Sequence, residues 1–164
     1  MKSTNFLKTI HKNAGGDLEK IFSTEDIQIQ LDIVKTLYLS FTKNDVFLIE
    51  RILKLYITED KNSKLQGCSL ITKACCIMLF KLQNVEHSLL IWEAKNSNTD
   101  TFASIDVQYM MGGGVKETLA FLEKKNNVAY EYAKKCFDLG ELSKSNIEEM
   151  KWSISNFEDE LYEN

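Results

Sequence analysis

The sequence predicts an all-α chain, a stack of antiparallel helix pairs of the HEAT-like helical-repeat kind, with about eight helices in one domain over residues 1–164. Three observations predict it. The 164 residues contain no proline, so the usual helix breaker is missing. Apolar residues recur at intervals of three and four along most of the chain. The interruptions are short and built from Asn, Asp, Ser, Lys and Gly, which suits tight connections between neighbouring helices.

Residues 2–12 predict a short capping helix that presents Phe6, Leu7 and Ile10 and ends near Asn13, Gly15 and Gly16. The stripe Ile27, Leu31, Val34, Leu37/Tyr38, Phe41 predicts the next helix, and after Thr42-Lys43-Asn44-Asp45 another begins at Val46. So short a join makes these two antiparallel neighbours. The Val46 helix carries Val46, Ile49, Leu53 and Tyr56 on one line and Leu48, Ile52 and Leu55 on another, so it is covered from two sides. Ser63 with Gln66 forms a capping-box pattern before Leu65 to Leu82, the most apolar helix, and Val85, Leu89 and Trp92 mark the helix after it.

The stretch from Ser97 to Lys125 is the most distinctive. Ser97, Thr99 and Asp100 are helix-capping types, Phe102, Ile105 and Tyr109 follow at helical spacing, and Asp106 falls on their face. Gly112, Gly113 and Gly114 then end this helix and open another at Val115, Leu119 and Leu122. The free amides at that opening favour negative charge, and Asp106 is the nearest acid. Either its carboxylate ties the turn together, or glycines and acid form a ligand or phosphate site. A phosphate loop needs G-x-x-x-x-G-K-[ST] after a strand, and GGGVKET follows a helix without that spacing.

Ala129, Ala133 and Cys136 continue the helix after Val128 as far as Gly140, and Ser145 with Glu148 caps a last helix striped by Ile147, Met150, Ile154, Phe157 and Leu161. Three hairpins echo one another: Phe41 to Val46, Phe80 to Val85 and Phe121 to Val128. A repeat period near 40 residues is what stacked helix pairs give.

Composition narrows the function classes. Net charge is −4, but residues 1–140 are near balance, whereas 141–164 hold seven acidic side chains against two basic. This speaks against nucleic-acid binding and for an acidic, solvated or partner-facing last helix. The N-terminus lacks the apolar core of a signal peptide, and the longest apolar run is short of the roughly 20 residues that span a bilayer, so a cytoplasmic chain without membrane contact is expected. Cys68, Cys75, Cys76 and Cys136 form no C-x-x-C and read as reduced packing residues. Only His11 and His87 are present, in no metal or triad pattern, and His87 is read as a solvated residue opening a helix. No metal, cofactor or catalytic set is called. Trp92 reads as a core residue.

One segment carries a family resemblance. Trp92, Asp100, Ile105-Asp106, Gln108, Gly112, Gly114, Glu117, Thr118 and Leu122, within residues 88–122, resemble a pattern in small bacterial proteins associated with the immunity of polymorphic toxin systems. Gly113 stands where that pattern has alanine. The resemblance implies a stoichiometric protein inhibitor of a secreted toxin domain, not an enzyme, and makes Trp92, Asp100, Asp106, Gly112, Gly113 and Gly114 fold determinants. The alternative expectation is a helical scaffold or adaptor. The candidate partner surface is the acidic face of the last helix at Glu148, Glu149, Glu158 and Asp159, facing a protein partner such as a basic toxin domain.

Overall fold

The computed structural model describes residues 22, 26–62 and 68–163, the side chains of 144, 145, 147, 148, 151 and 152 excepted. Within them lie eight α-helices and no strand. They are α1 (Ile27–Ser40), α2 (Val46–Asn62), α3 (Leu70–Lys81), α4 (His87–Lys95), α5 (Thr99–Ser104), α6 (Val115–Lys125), α7 (Asn127–Asp138) and α8 (Lys144–Glu163), with 3-10 segments at Lys43–Asp45 and Val107–Met111. The capping helix expected at 2–12 lies outside the described residues.

The all-α architecture is as the periodicity predicts, and its centre is α3. Every residue of α3 from Ile71 to Leu79 except Lys73 is buried. Its short side chains Ala74, Cys75 and Cys76 allow neighbours on several sides to approach closely. Helices α1, α2 and α4 and the Val107–Met111 segment all pack directly on it. Helix α2 is covered on both of its apolar lines, with Leu48 and Ile52 buried as well as Ile49, Leu53 and Tyr56. The main neighbour of α1 is α3 rather than α2, which corrects the expected α1–α2 pair. Those two meet through side chains, as where the Tyr56 hydroxyl donates to Gln30 Oε1.

Helix ends are set by local chemistry. The Thr42 amide and hydroxyl both donate to Asp45 Oδ2, at 2.7 and 2.9 Å, which turns the chain between α1 and α2. Helix α3 starts at Leu70 rather than Leu65, because Ser69 is its cap and accepts from the Thr72 amide at 3.0 Å. The expected Ser63–Gln66 box lies outside the described residues. Asp60, near the end of α2, accepts from Thr72 Oγ1 (3.3 Å) and Ser97 Oγ (3.5 Å), so one carboxylate joins the ends of α2 and α4 to the start of α3. Burial pushes its pKa up, against those two hydrogen bonds.

Helix α8 buries Met150, Ile154, Phe157 and Leu161 of the stripe the sequence marks, and the Ile147 side chain lies outside the described residues. Its fixed contacts reach far back in the chain. Phe157 meets the Tyr38 ring edge-on at 6.3 Å, Lys73 Nζ lies 5.4 Å from the Phe157 ring centre, and Glu158 Oε1 accepts from Lys81 Nζ (2.7 Å) and the Tyr38 hydroxyl (2.9 Å). The helix expected to pack on the preceding hairpin is thus tied to α1 and α3. Another departure concerns the hairpin echo: Val46 and Val85 are half-buried, but Val128 is exposed. All four cysteines are free, and burial pushes the thiols of Cys75 and Cys76 far up and that of Cys68 up to about 11.

Candidate functional site

The three glycines serve different needs. Only Gly114 takes a left-handed angle, φ +99, and Glu117 from the first turn of α6 fills the space its side chain would occupy. Gly112 and Gly113 are needed for close approach. A β-carbon on Gly112 would sit 2.4 Å from the Phe80 carbonyl oxygen, and one on Gly113 2.7 Å from the Val85 amide nitrogen. The glycine run is therefore pressed against the turn that joins α3 to α4, which locks the second half of the chain onto the first.

The segment before it is not one helix. Helix α5 ends at Ser104, Ile105 and Asp106 are extended, and a 3-10 turn resumes at Val107. The cause is Lys95, whose stem follows Ser88 and Ile91 down the buried line of α4 and which is 4% exposed. Its ammonium donates to the carbonyls of Phe102 and Ile105, the latter at 2.7 Å, at the C-terminal end of α5. It also lies 4.3 Å from the Phe102 ring centre and 5.6 Å from that of Tyr132. Burial lowers the Lys95 pKa, with the nearby Asp106 charge opposing. Sequence reading missed this residue. The available signal was its place four residues after Ile91 and seven after Ser88, that is, on the Ser88–Ile91–Lys95 line rather than on Val85–Leu89–Trp92.

Asp106 consequently leaves the face of Phe102 and Tyr109. Phe102 is exposed, Tyr109 is fully buried, and the Asp106 carboxylate makes no capping hydrogen bond. The expectation that the glycine turn would hold this carboxylate is corrected: the carboxylate beside Gly114 is that of Glu117. Burial raises the Asp106 pKa, and the charges of Lys73 and Lys95 pull it back. Asp106 instead opens on a groove of about 470 Å3 between the 3-10 segment and α8. Gln108 shares its wall, and Asn146, Glu149, Met150 and Ser153 line the other side at helical spacing on α8. Two carboxylates and three neutral polar side chains face a space that no Lys or Arg lines among the described residues. Such a lining accepts hydrogen bonds and positive charge.

The other called residues fall as follows. Glu149 and Asp159 are exposed on α8, Glu158 is engaged by Lys81 and Tyr38 and so belongs to the fold, and the Glu148 side chain lies outside the described residues. Asp100 sits half-buried in the first turn of α5, where Asn98, not Ser97 or Thr99, supplies the cap by accepting from the Thr101 amide at 2.8 Å. Trp92 packs half-buried against Tyr132, ring centres 5.2 Å apart. His87 is buried, not solvated, because its Nδ1 faces the Leu79 carbonyl at 3.0 Å across the α3–α4 turn. Among the described residues no cluster of His, Cys, Asp and Glu could hold a metal ion, and no helix is long and apolar enough to cross a membrane. Comparison of the chain with protein-family models, with curated proteins and with solved structures finds no match.

Proposed function

We propose that this chain is a cytoplasmic binding protein that neutralises a secreted toxin domain by stoichiometric association, and that acts by occupying its partner rather than by catalysis. The observation that carries the reading is the groove between Gln108 and α8. Asp106 and Glu149 supply negative charge, Gln108, Asn146 and Ser153 supply hydrogen-bonding groups, and Met150 supplies an apolar wall. A basic side chain of a partner fits that chemistry, and the acidic residues further along α8 steer a basic partner toward it, raising the association rate by about 10-fold or more at low salt. The resemblance of residues 88–122 to immunity proteins supports the same reading.

The test is co-expression with a toxin-like protein encoded beside this one. Growth should be rescued, and the two proteins should co-purify in fixed ratio. Reversal of Glu149 and Asp159 to Lys should slow association and flatten its salt dependence with the melting temperature unchanged. Glu158 is left alone because its reversal breaks an internal contact. Rescue and association that ignore both the reversal and the salt concentration would remove the groove from the interface. A helical adaptor is the alternative, favoured by the strongly exposed Leu39 and Phe47 on either side of the Thr42 turn. In that case substitution of those two residues, not of the acids, abolishes binding.

A further inference from the structure

A second cavity, of about 500 Å3, lies between the Lys43–Asp45 turn and the turn joining α3 to α4. Lys43 and Val46 line one side, and residues 82–85 with His87 line the other. Its volume is in the range of small-molecule sites.

The lining is built rather than incidental. His87 is 3% exposed, yet it lines the cavity. The Leu79 carbonyl, 3.0 Å from Nδ1, can only accept, so Nδ1 carries a proton and Nε2 is the nitrogen left for an occupant. Gln83 is the single non-glycine residue with positive φ among the described residues, at φ 56. It follows the last turn of α3, where its amide donates to the Phe80 carbonyl, a position that glycine or asparagine usually fills. The chain places a long amide side chain there, on the cavity wall. Val85, on the same wall, is backed by Gly113, whose missing β-carbon would lie 2.5 Å from Val85 Cγ1.

The ionisable side chains that line the cavity, Lys43 and His87, are both basic. The carboxylates of adjoining elements are turned elsewhere or stand outside the lining: Asp45 holds the Thr42 amide and hydroxyl, and Glu86 is exposed at the start of α4. Lys81 of α3 is paired with Glu158. We propose that this cavity binds a small organic carboxylate, with its charged group on the Lys43 ammonium and its apolar body against Val46, Leu82, Val85 and the His87 ring. Gln83 and Asn84 side chains supply further polar contacts at the rim.

The experiment is a nuclear magnetic resonance titration of the full chain with small monocarboxylates from propionate to benzoate, each paired with its primary amide. The best carboxylate should shift the methyl signals of Val46, Leu82 and Val85 and the ring signals of His87, and should bind about 10-fold or more tightly than its amide, the factor one charge-assisted contact gives. Lys43→Gln, an exposed change, should weaken carboxylate binding by a similar factor with the rest of the spectrum unchanged. Equal affinity for acid and amide, shifts that map elsewhere, indifference to Lys43→Gln, or no shift from any member of the series at tens of millimolar each overturn the proposal.

Discussion

Gly112→Ala separates two accounts of the glycine run that predict opposite signs. Gly112 has φ −55 and ψ −36, ordinary helical values. On backbone entropy alone, alanine should stabilise the chain by about 0.5–1 kcal/mol. The added β-carbon, however, would stand 2.4 Å from the Phe80 carbonyl oxygen, 3.0 Å from its Cα and 3.1 Å from its carbonyl carbon. These are backbone atoms of the central helix, so no rotamer change relieves the clash, and α3 and the 3-10 segment must separate. Overpacking of this kind costs about 1–3 kcal/mol, and rigid backbone on both sides puts it at the upper end. The net expectation is a loss of about 2 kcal/mol, which in a chain of this size lowers the melting temperature by about 4–8 °C. Urea unfolding should give a lower midpoint at unchanged slope. Gly140→Ala is the contrast: φ is +80 and nothing lies within 4 Å, so its cost of about 1–2 kcal/mol is conformational and not steric. A Gly112→Ala midpoint equal to or above that of the native chain would refute the close-approach account.

Lys95→Met keeps the buried stem and removes the ammonium from the Phe102 and Ile105 carbonyls. It should cost about 2–3 kcal/mol, with hydrogen exchange rising first at residues 99–106. Glu158→Gln should cost about 0.5–1 kcal/mol, a modest figure because both partners are one-third exposed and solvent-screened. Burial acts to raise the Glu158 pKa, but the Lys81 and Tyr38 hydrogen bonds outweigh it and leave it below its ordinary 4.5. The contribution is therefore complete above the ordinary value and fades as pH falls through the lower folded value. The gap between native and Glu158→Gln midpoints should close as pH falls below the ordinary 4.5, and a gap that stays constant would exclude the ionised pair as its source.

Much of the architecture is written in short-range pattern. The buried lines of α2, α3 and α8 are those the apolar spacing marks, because a helix face is fixed by residues three and four apart. The interior of the Ser97–Gly114 stretch is different. Phe102, Asp106 and Tyr109 sit at helical spacing, and the helix fails there because a lysine from another helix takes the carbonyls that would have continued it. That is a tertiary effect with no local trace. For the same reason Gly112 and Gly113 look like turn residues in sequence, and the atoms that require them belong to Phe80 at the end of α3 and Val85 in the turn after it, about 30 residues earlier in the chain. His87 misled for a related cause: polar residues at a helix start are commonly solvated, and only the returning Leu79 carbonyl makes a buried one stable. The groove joins Asp106 to Glu149, which no spacing argument would connect.

The tie between Tyr38 and Glu158 spans 120 residues. During synthesis the N-terminal helices emerge well before α8, so the strip of α1 and α3 that Phe157 and its neighbours cover stays wet until the last described element arrives. Closure by α8 is slow in the sense that contact order measures, because it joins residues 120 positions apart. Until it occurs, Tyr38 and its surroundings form a sticky seam on a nascent chain, the surface on which a chaperone, or a second unfinished copy, would compete with the chain's own final helix.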